Sequence, residues 1–153
     1  MSGFIFKFQP VLNIRQQTED VRKFEMAKSV SLLEDEREKL TMYKTTEDKY
    51  IQSMSVDVIG GMNLRKIREC NSYILHMRKV IDGQKQTVLD AEIHLEESRE
   101  RLKTALVEKK TMEKLKSRHA KVYIQEQNKK EQLITDEITT YKYKMKASGD
   151  WYG

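Results

Sequence analysis

Residues 67–105 read IRECNSYILHMRKVIDGQKQTVLDAEIHLEESRERLKTA, and their spacing decides the fold. Alternating steps of three and four from Ile67 land on Ile67, Cys70, Ile74, Met77, Ile81, Gln84, Val88, Ala91, Leu95, Ser98, Leu102 and Ala105. Every seventh residue from Ile67 is a branched aliphatic. The residues between them, Cys70, Met77, Ala91, Ser98 and Ala105, are mostly small or flexible. A seam repeating every 3.5 residues specifies a coiled coil, and small residues along it let the partner helix approach closely. Beyond Lys109 the apolar residues Met112, Leu115, Val122 and Tyr123 read as out of phase with this seam.

Upstream, Met26, Val30, Leu33, Leu40, Ile51, Met54 and Val58 supply an answering seam, interrupted by Arg37, Lys44 and Glu47. The N-terminal third is looser, with Leu12, Ile14, Val21 and Phe24. Between the seams lies Ile59-Gly60-Gly61-Met62-Asn63. Paired glycines admit positive φ and end a helix, and Asn63 can cap the next one. Pro10 suits a first helical turn. The sequence therefore predicts a helix over about 10–58, a turn at 59–63 and a second helix over about 64–146. Together they form a single coiled-coil hairpin over 1–147, with 148–153 as a flexible tail. Asp82-Gly83 is the weak point of the second helix, where a kink at most is expected. With the turn centred near residue 60, position n faces roughly 121 − n. Residues after about 111 then overhang by ~50 Å of helix without a partner in the chain.

Composition supports this architecture. Of 153 residues, 35% are charged, with one proline and six glycines. Sandwiches and barrels need a turn every ~8–12 residues, so they are excluded. A hairpin of this kind has no deep core in which to bury an active site. Its histidines, His76, His94 and His119, lack ligand-type neighbours at helical spacing, and no CxxC, HExxH, P-loop or GxGxxG occurs. The reading is a non-enzyme with no metal and no cofactor. One cysteine, Cys70, allows no intrachain disulfide. No run of 18 apolar residues exists, and Lys7 interrupts the apolar start at Phe4, Ile5, Phe6 and Phe8, so neither a membrane span nor a signal peptide is expected.

Two surfaces stand out. Residues 109–130 carry Lys109, Lys110, Lys114, Lys116, Arg118, Lys121, Lys129 and Lys130 against Glu113 and Glu126, more positive excess than the whole chain's +5. A solvated basic face, an acidic protein partner and nucleic acid are the three readings. No aromatic stacking set or groove-reading motif accompanies the charge, and nucleic acid is not the expected partner. Tyr43 and Tyr50 lie one position off the seam read above, and Tyr73, Met77 and Val80 form a stripe beside the second seam. These residues either widen the core or form a docking patch, for which tyrosine and methionine are suited.

The opening Phe6-Lys7-Phe8-Gln9-Pro10-Val11-Leu12-Asn13-Ile14-Arg15 resembles the start of the flagellar export protein FliJ family. Lys109-Lys110-Thr111-Met112-Glu113-Lys114-Leu115, followed by Glu131-Gln132 and Asp136-Glu137, is similar to that family's C-terminal pattern. The resemblance implies an antiparallel coiled coil like the γ-subunit shaft of rotary ATPases. It also implies a cytoplasmic protein peripheral to the inner membrane at the flagellar base, serving motility and chemotaxis. Its partners would be the flagellar export ATPase ring, the cytoplasmic domain of the export gate and export chaperones, with membrane contact only indirect. Carried over by position, the gate-docking face would include Lys39, Tyr43, Thr46, Tyr50, Tyr73, Met77, Val80 and Gln84. The ATPase-binding end would include Phe6, Phe8, Leu12, Arg15, Gln132, Asp136 and Glu137. The expectation is thus an all-α, elongated antiparallel two-helix coiled-coil hairpin acting as a non-enzymatic coupling subunit. The alternatives are a stalk subunit of another type III secretion or rotary ATPase, or a basic coiled-coil nucleic-acid-binding protein.

Overall fold

The computed structural model describes residues 3–61 and 63–149, the last three by their backbone alone. Two helices pack as an antiparallel hairpin: α1, Gln9–Ile59, and α2, Leu64–Gly149. Pro10 occupies the first turn of α1, where its missing N–H has no intrahelical role. At the other end, Gly60 N–H donates to Val56 O and Gly61 N–H to Val58 O, each at 3.2 Å. Gly61 has φ of 88°, a conformation costly for any residue with a Cβ. Asn63 then caps α2, its Oδ1 accepting from Arg65 N–H at 3.3 Å. α2 is continuous through Gly83 and reaches Gly149, three residues past the expected end. Of the expected tail, residues 150–153 lie outside the described residues, as does Met62 of the turn.

The chain divides into two compact units, residues 17–106 and residues 1–16 with 107–153. In the first, all twelve seam positions expected on α2 are buried or half-buried. Leu33 of α1 packs among Val88, Ala91 and Leu95, with Met26, Val30 and Leu40 against that cluster. The seam of α1 differs from the expected one. Its inward positions are Glu19, Arg22, Met26, Ser29, Leu33, Glu36, Leu40, Tyr43, Glu47, Tyr50 and Met54, an unbroken three-four alternation. Glu47 is therefore a seam residue and not an interruption. Ile51 and Val58, taken as seam residues, are exposed. Tyr43 and Tyr50, taken as off the seam, lie on it.

The reason is that polar side chains occupy half of this seam and find partners there. Ser29 and Ser98 hydroxyls lie 3.0 Å apart, both residues buried. Gln84 Nε2 donates to Glu36 Oε2 at 2.6 Å and to Glu36 O at 3.0 Å. The 121 − n relation holds at Glu36, which meets Gln84, and at Tyr50, which meets Cys70. Farther from the turn the pairing drifts, and Ser29 meets Ser98 where the relation places it opposite residue 92.

In the second unit, the seven-residue repeat of α2 continues in phase through Lys109, Lys116 and Tyr123, all half-buried, with Met112 also inward. The expectation of lost phase fails because lysines fill inward positions by laying their stems along the seam. Lys116 Nζ donates to Gln9 Oε1 at 2.8 Å, and Arg15 Nη1 pairs with Glu108 Oε2 at 2.7 Å. Phe6 and Leu12 are buried. The non-helical segment before α1 reaches farther along α2 than its residue count suggests, since extended chain advances about 3.3 Å per residue against ~1.5 Å in a helix. Phe6 meets His119 at 5.7 Å between ring centroids, and Phe4 meets Tyr123 at 5.8 Å. Intrachain pairing thus extends to Tyr123, not to about 111. Residues 128–146 are exposed throughout. This leaves ~30 Å of exposed helix, shorter than the expected ~50 Å of overhang.

Candidate functional site

Among the described residues no cluster of three or more His, Cys, Asp or Glu is arranged to hold a metal ion, and no helix is long and apolar enough to cross a membrane. The residues that the sequence assigned to docking fall in two sets, one in each unit.

In the unit of residues 17–106, the residues assigned to gate docking divide by environment. Lys39 Nζ pairs with Glu36 Oε1 at 2.7 Å. Thr46 is exposed, its hydroxyl donating to Met42 O at 2.8 Å. Tyr43, Tyr50, Met77 and Gln84 lie in the seam, half-buried, and Val80 is half-buried beside it. Tyr73, at 37% exposure, is the most exposed of these rings. Its ring leans on that of Tyr50, with centroids 4.4 Å apart at 44°. The Tyr50 hydroxyl donates to the Sγ of buried Cys70 at 3.4 Å. That hydrogen bond, with burial adding, raises the Tyr50 hydroxyl above its ordinary pKa. The tyrosine stripe is thus a seated pair with one outward face, not a set of free rings.

Glu36 is the polar hub of this unit. The hydrogen bonds from Lys39 and Gln84 hold its carboxyl below the usual carboxylate range, and Lys39 is raised in return by Glu36. Near the turn, Arg78 Nε donates to Glu47 Oε1 at 3.0 Å. Arg78 also borders an apolar groove of about 640 Å³ lined by Ile51, Met54, Val58, Ile74 and Leu75. Sequence reasoning missed this groove by assigning Ile51 and Val58 to the core. The signal that could have found it is Leu75, an apolar residue adjacent to the seam residue Ile74.

In the other unit, Phe6 and Leu12 are consumed by packing and Arg15 by its ion pair with Glu108. Phe8 is 43% exposed, its ring 6.4 Å from that of His119. Gln132, Asp136 and Glu137 are all exposed on the lone stretch of α2. Sequence reasoning passed over the apolar residues interleaved with them, Leu133, Ile134, Ile138, Tyr141 and Tyr143, which are also exposed. Of the basic segment, Lys109 pairs with Glu113 at 3.7 Å and Lys116 with Gln9, while Lys110, Lys114, Arg118, Lys121, Lys129 and Lys130 are exposed.

Among the described residues the hairpin carries no metal-type cluster and leaves apolar and tyrosine surfaces outward. The family model for the flagellar FliJ protein covers residues 4–148. The chain belongs to the flagellar FliJ family. A curated FliJ protein of Bacillus subtilis is 22% identical over 137 residues, spanning 90% of this chain and 93% of its own. Among solved structures, a YscO homologue of Chlamydia trachomatis has the same fold, with a TM-score of 0.68. It is 22% identical, and the match covers 94% of this chain and 97% of that one. FliJ membership places the chain among components associated with flagellar type III export.

Proposed function

We propose that this FliJ-family chain is a non-enzymatic coupling component of the flagellar export apparatus, linking the export ATPase ring to the export gate and assisting delivery of chaperone-bound substrates. It acts at the cytoplasmic face of the inner membrane, peripheral to it, and rotation-shaft proteins of the γ-subunit type are the structural analogy. The observation that carries this reading is the family match over residues 4–148 together with a fold that spends its length on helix surface.

The gate contact is assigned to the surface around Tyr73, with Thr46, Lys39 and Val80 beside it. Tyr43, Tyr50, Met77 and Gln84 support that surface from within the seam. The ATPase contact is assigned to Phe8 and to Gln132, Asp136 and Glu137 on the lone helix, with Phe6, Leu12 and Arg15 shaping the region from which Phe8 projects.

The test uses purified ATPase and the cytoplasmic domain of the gate. The full chain should raise ATP hydrolysis by the ATPase. Deletion of residues 131–153 should abolish that rise and leave gate binding unchanged. A deletion variant that stimulates as well as the full chain would remove the ATPase assignment.

A further inference from the structure

The bases of residues 109–130 divide by the side of α2 on which they stand. Lys109 pairs with Glu113 and Lys116 with Gln9, and both lysines are half-buried on the packed side of the helix. Lys110, Lys114, Arg118, Lys121 and Lys129 are exposed, and no ion pair or hydrogen bond engages them among the described residues. With about 100° of rotation per residue, these five share about 100° of arc, centred opposite Lys116 and Tyr123. Their face runs for about 28 Å along the helix. Its other residues, Thr111, Ser117, Gln125 and Asn128, are polar and exposed. Glu113 and Glu126 stand off it, and Asp136 is the first acid beyond it on the same side. The exposed aliphatics of the stretch, Val122 and Ile124 at 50% and 55%, lie at its two edges.

This arrangement selects among anionic partners. A partner helix is held by an apolar stripe with charges flanking it, whereas here the middle is charged and the apolar residues flank. A nucleic-acid duplex is a cylinder whose phosphates follow helical tracks, so a straight row of bases meets them only where it crosses a strand. A single strand is gripped by stacking on aromatic rings, and the face has none. A plane of anionic lipid headgroups needs neither an apolar centre nor a matching curve. It touches a straight face along its whole length, and each base brought near it adds to the attraction.

We infer that Lys110, Lys114, Arg118, Lys121 and Lys129 form a lipid-binding face with which α2 lies lengthwise on a membrane surface rich in anionic headgroups. The N-terminal segment, packed on the opposite side of α2 through Phe4 and Phe6, points away from the bilayer. No helix of the described residues is long and apolar enough to cross a membrane, and the face has no apolar anchor at its centre, so the attachment is peripheral, reversible and sensitive to salt. The face stands apart from the residues assigned to the gate and to the ATPase. It makes direct a membrane contact that the family resemblance implies only as indirect.

The test is flotation of the full chain with vesicles of phosphatidylcholine alone or with about 30% phosphatidylglycerol. The wild type should float with the anionic vesicles and not with the neutral ones. Its affinity should fall at least tenfold as salt rises from about 50 to about 500 mM and shortens the screening length. Lys114→Glu combined with Lys121→Glu should weaken binding at least tenfold, with helical content and melting unchanged. Lys114→Gln combined with Lys121→Gln should weaken it in the same direction by a smaller factor. Lys130→Glu combined with Lys144→Glu changes the net charge equally but off the face, and this pair should bind within about threefold of wild type. A wild type that binds both kinds of vesicle alike or neither, or an off-face pair that loses as much as the face pair, would overturn the inference. Tighter binding, per anionic group, to duplex DNA or to polyglutamate would overturn it too, by assigning the face to nucleic acid or to an acidic protein.

Discussion

At the scale of residues, the seam of α1 is defined by polar side chains that have partners. Glu36 takes hydrogen bonds from Lys39 and Gln84, and its carboxyl is held below its ordinary pKa as a result. A depressed carboxylate contributes stability that is present above the unfolded pKa and is lost as pH falls through the folded one. Thermal melts of the wild type should therefore drop as pH falls below the usual carboxylate range. In Glu36→Gln that drop should be smaller, which melts of both proteins at pH 7 and pH 3 would show. The Lys39 side runs oppositely. Its raised pKa keeps the pair charged at neutral pH and releases it only above the ordinary lysine range.

Tyr50 and Tyr73 divide the tyrosine stripe between stability and docking. Tyr50→Ala removes a half-buried ring from the seam and the partner of Cys70, and it should lower the melting temperature by several degrees. Tyr73→Ala should lower the melt by less than Tyr50→Ala does, since its ring is the more exposed of the pair, and should weaken gate binding about tenfold or more. A melt and a binding titration on each variant check both outcomes. Normal gate binding by Tyr73→Ala would take the docking surface elsewhere.

At the scale of elements, both helices were legible in the sequence, but the seam was legible throughout only in α2 as far as Ala105 and in part in α1, at Met26, Leu33, Leu40 and Met54, for one physical reason. In α2 the aliphatics recur every seven residues from Ile67 to Leu102, so periodicity and burial coincide. In α1, Glu19, Ser29, Glu36 and Glu47 hold inward positions, while Val30, Ile51 and Val58 stand one position over. A reading that follows hydrophobicity is then drawn onto the wrong face. The tyrosines were displaced by the same error, and the apolar groove at Ile51 and Val58 was hidden by it. The N-terminal aromatics were underrated because a non-helical segment gives no periodic signal. The exposed face of α2 after Tyr123 was foreseen in kind but not in length.

Leu95 tests the part that was legible. It is buried against Leu33, Val88 and Ala91. Leu95→Ala should cost about 2 kcal/mol, the lower end of the range for buried leucines, since a two-helix seam has fewer neighbours to lose. Equilibrium unfolding in urea measures it, and an unchanged midpoint would contradict the seam.

At the scale of the whole molecule, the two units differ in what they leave exposed. Residues 17–106 present a tyrosine face and a groove, and residues 1–16 with 107–153 end in a lone helix. Residues 128–146 of that helix are exposed throughout, and helices of such length with little buried surface are marginal in water. Brief trypsin treatment should cut first at Lys129, Lys130, Lys142, Lys144 or Lys146, leaving a protected fragment that ends near Lys129. The same residues should be shielded once the ATPase is bound. Cleavage beginning instead within residues 26–105 would show that the seam is the weaker part.

The placement of the turn also orders the events of synthesis. Tyr50 and Cys70 are 20 residues apart in the chain, so their contact closes a short loop. Phe4 and Tyr123 meet across nearly the whole sequence, so theirs closes a long one. Loop-closure entropy rises with the logarithm of that separation, which favours zipping outward from Gly60-Gly61. A nascent chain emerging from the ribosome can begin this as soon as the start of α2 is out. Its leading aromatics, Phe4, Phe6 and Phe8, have nothing to grip until His119 and Tyr123 follow. These aromatics are made long before their partners and are thus among the last of the paired residues to settle, uncovered until then.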